Sequence, residues 1–333
     1  MSAPPSAPGA GFDAGSLGRA ARWRWSEFAF WLLPLAAYFA FPDDLALLSQ
    51  IAITALFALS LDLILGYAGI VSLGHAAFFG LGAYATGLLA RAGWADPLVG
   101  LAAALLAAVL GFATSFLVLR GADLTRLMVT LGVAIMLHEI ANKATDFTGG
   151  VDGLQGIQYT PLLGRFSFDL VGRTAYVYSV AVLFLLFWIA RRIVHSPFGL
   201  ALRGIRENVS RMPALGTPVN ARLVAAYTLG AAYAGVAGAL LTQTTQFVSI
   251  DVLGFNRSAE LLLMLVLGGS GSLYGALLGA IVFMVGRQQL SDLNPQYWQF
   301  WLGLLLIFVV LFARGGIVGA LRAAARRWRR GAA

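Results

Sequence analysis

The sequence predicts an all-α, polytopic membrane protein of about ten transmembrane helices. Three observations carry that expectation. Of 333 residues, 59% are hydrophobic and only 11% charged, with a mean hydropathy of +0.80; a soluble domain carries roughly 25% charged residues. The apolar residues gather into segments near the roughly 20 residues needed to cross a bilayer. The basic residues collect at alternate ends of those segments, as the positive-inside rule asks.

Residues 1–25 are rich in Ala, Pro and Gly and carry Arg19, Arg22 and Arg24. They read as a disordered basic tail, and no short apolar core follows the first residues directly as in a signal peptide. The first span covers 26–41, with Trp23, Trp25 and Trp31 as interfacial anchors and Pro34 as a kink. Pro42-Asp43-Asp44 makes a turn. Spans follow at 45–65, 70–90, 97–119 and 124–141. Residues 142–174 form the longest polar loop, around Gly149-Gly150-Val151-Asp152-Gly153. The sixth span is 175–194 and the seventh 221–243.

Residues 259–286 read either as one long span or as two short ones broken at Gly268-Gly269-Ser270-Gly271-Ser272. The last span is 297–313. Charge decides between nine and ten passes. With a cytoplasmic N-terminus and ten passes, 17 of the 23 basic residues lie inside: three in the N-terminal tail, two around 120–126, six at 191–222 and six in the C-terminal tail. The outer loops then hold most of the acids. We therefore expect ten passes, both termini cytoplasmic, a membrane domain over 26–315 and a basic tail over 316–333.

The polar stretch 196–216 stands out. Ser196 followed by Pro197 reads as an N-cap with proline in the first turn. Leu202, Ile205, Val209 and Met212 fall on one helical face, while Arg203, Arg206, Glu207 and Arg211 lie off it. Pro213 breaks the helix and Gly216 suits a left-handed stop. Two readings stay open: a solvated basic loop that fixes topology, or a docking element for a cytoplasmic partner.

Small residues repeat at four through Gly230, Ala234 and Gly238, through Ala231, Gly235 and Ala239, and through Gly271, Gly275 and Gly279. Such ridges let helix backbones approach closely in lipid. The segment Leu65-Gly66-Tyr67-Ala68-Gly69, leading to Ser72-Leu73, is echoed by Leu267-Gly268-Gly269-Ser270-Gly271, leading to Ser272-Leu273. Glycine-interrupted segments in matching positions often flank a transporter's pathway. That echo nominates Gly69, Ser72, Gly268, Gly271 and Ser272 as pathway residues, with His75 beside them inside the third span.

The remaining chemistry is sparse. Asp62, His138 and Glu139 lie near span ends and read as groups reaching the interface, while Glu260 reads as a cap for the eighth span. His75 reads first as a histidine bonded to a neighbouring helix. The sequence has no cysteine, and its three histidines are scattered, which argues against thiolate chemistry and a zinc site. Its single lysine, Lys143, follows no glycine run, so it offers no phosphate-binding loop of the Gly-x-x-x-x-Gly-Lys-Ser/Thr kind. No catalytic constellation is present, and the arginines follow span ends rather than a nucleic-acid footprint.

Four motifs in series carry a resemblance. They are Leu65-Gly66-Tyr67-Ala68-Gly69-Ile70-Val71-Ser72-Leu73-Gly74-His75-Ala76-Ala77-Phe78-Phe79-Gly80, then Thr148-Gly149-Gly150-Val151-Asp152-Gly153-Leu154, then Ile205-Arg206-Glu207-Asn208 through Ala214-Leu215-Gly216, and Glu260-Leu261-Leu262-Leu263-Met264 through Gly268-Gly269-Ser270-Gly271-Ser272-Leu273-Tyr274-Gly275. Spread over roughly 45–315, they resemble the LivM-type permeases of branched-chain amino acid ABC transporters. The resemblance implies a type II importer-like bundle in a bacterial inner membrane and a second, LivH-like permease. It also implies two cytoplasmic ATPase subunits that bind the ATP, a periplasmic binding protein and an amino acid substrate. It makes 196–216 a coupling helix, with Arg203, Arg206, Glu207, Asn208, Arg211, Ala214, Leu215 and Gly216 at the ATPase contact. It assigns no cofactor to this chain. Outer segments 142–174 and 246–258 would receive the binding protein. A urea or amide importer shares much of this pattern; an ion-coupled secondary transporter and a passive channel are the readings from other classes.

Overall fold

A computed structural model describes residues 25–121, 123–161, 166, 172–312 and 315–321. The expected N-terminal tail and most of the C-terminal tail lie outside them. The described chain is helical, with one isolated bridge between Leu154 and Val248. Its main helices are α1 (Trp25–Ala40), α2 (Leu45–Leu61), α3 (Ala76–Arg91), α4 (Val99–Val118), α5 (Asp123–Lys143), the single turn α6 (Thr145–Thr148), α7 (Arg173–Val194), α8 (Pro197–Glu207), α9 (Val219–Thr245), α10 (Phe255–Gly268), α11 (Leu273–Leu293) and α12 (Trp298–Phe312).

Each expected span contains one of these helices. Six segments are long and apolar enough to cross a membrane: Leu45–Tyr67, Val99–Val118, Leu124–Lys143, Arg173–Val194, Val219–Thr245 and Leu273–Leu293. α1, α3, α10 and α12 are shorter. The third span was expected to begin at 70, but its helix starts at Ala76. Gly69 takes a left-handed φ of +74°, and the chain then runs unwound to α3. A Cβ at Gly74 would strike the Thr130 carbonyl of α5, so this unwound stretch passes against that helix backbone to backbone. Residues 259–286 do form two helices broken by the glycine run. Only α10 is short; α11 runs 21 residues.

Packing sorts the helices into a centre and a rim. α9 packs against α2, α3 and α4. Within the most apolar stretch of each, 83% of residues are buried for α2 with its continuation and 67% for α9, against 17% for α5 and 28% for α4. The rim helices therefore turn apolar faces such as Leu101, Leu105, Phe112 and Phe116 outward. In water that area would drive aggregation, whereas in lipid it is the ordinary solvent-facing side.

The small-residue ridges explain how α9 takes the centre. A Cβ at Gly238 would collide with the Phe79 carbonyl oxygen of α3, and one at Gly235 would sit 3.2 Å from Ala104 Cα of α4. Close backbone approach supplies the van der Waals contact that holds helices together where lipid tails are as apolar as leucine. One buried ion pair reinforces the bundle, Arg191 Nη1 of α7 to Glu27 Oε1 of α1 at 2.9 Å.

A short helix clamped to two glycine breaks

α8 forms as its sequence dictates. Ser196 is extended and Pro197 holds the first helical turn. The Ser196 hydroxyl bonds back to the Ile193 carbonyl at 2.6 Å instead of capping forward. Leu202 and Ile205 are buried, 3% and 1% exposed. Two details differ from expectation. The helix ends at Glu207, because Asn208 turns extended and its Oδ1 accepts the Arg211 backbone N–H at 3.2 Å. Val209 therefore leaves the apolar face and is 53% exposed, while Met212 folds back onto Gly204. A 3₁₀ turn, Pro213–Leu215, then ends at left-handed Gly216, as its sequence suggested.

Two arginines of α8 turn toward the bundle. α2 continues into a π-helical segment, Asp62–Tyr67. Arg206 Nη1 donates to the Gly66 carbonyl there. The same side chain lies against Gly69 and against Gly271, in the α10–α11 break; a Cβ on Gly69 would come within 3.1 Å of Arg206 Cγ, and one on Gly271 within 2.8 Å of Nη1. Both glycines have positive φ, +74° and +78°. The Gly271 N–H donates to Asp62 Oδ1 at 2.7 Å. Asp62 is fully buried, and Arg206 acts on its carboxylate electrostatically. One turn away, the Arg203 guanidinium lies 5.2 Å over the Tyr67 ring, a cation–π contact.

The two echoed glycine segments are therefore neighbours, and α8 is fastened to both. Asp62 was expected to reach the interface and does not. It is the buried carboxylate that joins the π-helical segment to the α10–α11 break. The signal lay in the sequence as an acid inside an apolar span one turn before a glycine motif, but its partners are far away in the chain. Glu260 also departs from its expected role. It lies in the second turn of α10 and its Oε2 pairs with Arg257 Nη1 at 3.4 Å and Arg287 Nη1 at 3.7 Å.

The nominated pathway residues divide. Gly69 and Gly271 meet at Arg206. Gly268 packs on the α11 backbone at Gly275 and Gly279. The Ser272 carbonyl accepts from Gly275 N at 2.7 Å at the start of α11. Ser72 and His75 are fully buried; His75 Nε2 lies 2.8 Å from Ser60 Oγ of α2, with its ring stacked on Phe57. His75 is thus bonded to a neighbouring helix. On the outward side, Glu207, Asn208, Val209, Arg211, Ala214 and Gly216 are exposed, and Leu215 is 75% exposed. Among the described residues no cluster of His, Cys, Asp and Glu is suited to a metal.

A helical bundle with several bilayer-length apolar helices and lipid-type faces is a multi-pass membrane protein. Comparison with known proteins identifies its kind. Residues 45–310 match the family described as the permease component of branched-chain amino acid transport systems, and the chain belongs to that family. It is 31% identical over 305 residues to the high-affinity branched-chain amino acid transport system permease protein LivM of Escherichia coli, covering 84% of this chain and 70% of that one. It is 28% identical over 286 residues to BraD of Pseudomonas aeruginosa, covering 80% and 91%. The permease protein LivH of Escherichia coli is 24% identical over 284 residues, covering 80% and 91%. No solved structure matches.

Proposed function

We propose that this chain is the LivM-like permease subunit of an ATP-driven importer of branched-chain or related hydrophobic amino acids. It crosses a bacterial inner membrane ten times in a type II importer-like arrangement, with both termini in the cytoplasm. It pairs with a LivH-like permease, which its likeness to both kinds of relative supports. Two cytoplasmic ATPase subunits bind ATP, and a periplasmic protein delivers the amino acid. The chain needs no cofactor of its own.

The observation that carries this reading is the clamp at Arg206. A lever must do two things: present a surface to its driver and hold rigidly to what it moves. The exposed 207–216 surface, with Leu215 at its edge, suits the first. The Arg206 and Arg203 contacts suit the second, because they join α8 to the breaks after α2 and before α11. ATP-driven movement of α8 would then displace both breaks together, tilting helices as rigid bodies.

The test is reconstitution of the chain with its partner permease, the ATPase subunits and the binding protein in proteoliposomes. ATP-dependent leucine uptake that survives collapse of the proton gradient is expected. Uptake driven by the gradient without ATP, or flux through this chain alone, would overturn the reading.

A further inference from the structure

At the end of the bundle away from α8, α2, α9, α10 and α11 enclose a cavity of about 260 Å³. It is smaller than the roughly 300–1,000 Å³ of drug-sized pockets and suits one small solute. Its lining has two characters. Leu47, Leu241 and Met284 supply apolar wall; Gln50, Arg257, Arg287 and Gln288 supply polar groups. The two guanidinium groups share the single carboxylate of Glu260, at 3.4 and 3.7 Å. Each is also held over an aromatic ring, Arg257 over Phe79 at 5.7 Å and Arg287 over Trp298 at 5.2 Å. The two guanidinium groups have one paired carboxylate between them; a second acid, Asp292, accepts instead from Gln288 Nε2 at 3.2 Å.

We propose that this cavity is a solute subsite within the subunit that takes an aliphatic α-amino acid at the outer face, before or beside the main pathway. The inference rests on the permease reading. The chemistry follows from the lining. An α-carboxylate fits the two guanidinium groups that share one carboxylate, since arginine presents donors in a planar fork matched to carboxylates. The ammonium group has the Gln288 side-chain carbonyl as an acceptor, since the Gln288 amide nitrogen is the atom bonded to Asp292. The side chain lies against Leu47, Leu241 and Met284. Glu260 is a placeholder when the site is empty: it satisfies both arginines, and a ligand carboxylate displaces it from one of them. Arg287 is that one, because it lies farther from Glu260 than Arg257 does and is the more exposed of the two.

The chain has no cysteine, so one introduced thiol is the only one on this subunit, and labelling is read on this subunit after it is separated from its partners. Gln50→Cys is labelled with a maleimide in membrane vesicles that carry the chain with its own partner subunits. Leucine at about ten times its dissociation constant is expected to slow labelling about tenfold by occupancy. Leucinamide, which lacks the carboxylate, should not protect, and protection should vanish in Arg287→Gln and return in part in Arg287→Lys. Return in the lysine variant separates loss of the charge from loss of the fold. Labelling unaffected by leucine, equal protection by leucinamide, or full protection in Arg287→Gln overturns the subsite. ATP-driven leucine uptake is read separately on the unaltered chain. Uptake without protection removes the subsite and leaves the permease standing, whereas protection without uptake supports the subsite and removes the transport reading.

Discussion

Replacing Arg206 by alanine tests the clamp directly. The substitution removes a charged donor from the Gly66 carbonyl and the cation that faces the buried Asp62. Asp62 keeps its bond from Gly271 N–H, so the α2–α11 junction stays closed while α8 loses its tie to it. A hydrogen bond to a charged group contributes about 1.5–3 kcal/mol. Water can partly replace the exposed guanidinium, which favours the lower half of that range. At 1.4 kcal/mol per factor of ten, the docked state of α8 weakens about ten- to fortyfold. Leu202 and Ile205 still anchor the helix, so the chain should fold and insert normally. The assay is paired: hydrogen exchange of 197–207 in the purified complex, and leucine uptake against ATP hydrolysis in proteoliposomes. Faster exchange confined to α8 is expected, with hydrolysis retained and uptake per ATP falling about tenfold. Arg206→Lys should recover part of it. Unchanged exchange with unchanged uptake would refute the clamp; a parallel loss of hydrolysis and uptake would instead place Arg206 at the ATPase contact.

Gly271→Ala forces a side chain into positive φ and against Arg206 and the Gly66 carbonyl; uptake should fall several-fold, measured in the same vesicles, while Gly303→Ala, with open space around it, should not alter it. Leu215→Asp places a charge on an exposed turn. It should leave thermal stability of the purified chain within about 0.5 kcal/mol, as surface changes do, yet reduce co-purified ATPase subunits severalfold. Gly238→Leu drives atoms into the Phe79 carbonyl, and the yield of monodisperse protein in detergent should collapse.

How much of this was legible beforehand follows from the range of each interaction. The positions of the helices could be read because apolar run length and glycine breaks are local signals. α8 could be read to its Pro197 start and its Gly216 stop for the same reason. Its early end was missed because Asn208 trades helix continuation for a side-chain turn, and both outcomes are open to an asparagine. The unwound approach to α3 was missed because hydropathy does not register backbone geometry, and residues 70–75 are as apolar as a helix would be. Asp62 was misplaced for a deeper reason. An acid in an apolar span is worth placing at an interface only until a partner is known, and its partners are a backbone N–H in the α10–α11 break and an arginine of α8. Neither pairing leaves a trace in local pattern. The glycine echo did point to both segments, and the structure sets them side by side.

α2 gives the two ends of the molecule a common part. Gln50 lines the cavity and Asp62 joins the clamp; the first sits on α2 and the second opens its π-helical continuation. Twelve residues separate them, about 18 Å at 1.5 Å per residue. α2 with its continuation is 83% buried over its most apolar stretch, so its neighbours resist bending. Its hydrogen-bond pattern changes in the π-helical Asp62–Tyr67 segment, and π-helical turns of this kind are frequent at functional sites. α11 repeats the arrangement with Ser272 at the clamp end and Arg287 at the cavity. On the proposed lever reading, a displacement of α8 reaches the cavity through both α2 and α11, each of which meets a glycine break that Arg206 touches. Were only one break engaged, the same push would shear α2 against α11 and open the Asp62–Gly271 bond. In the proposed movement, engaging both leaves that bond closed while the pair tilts.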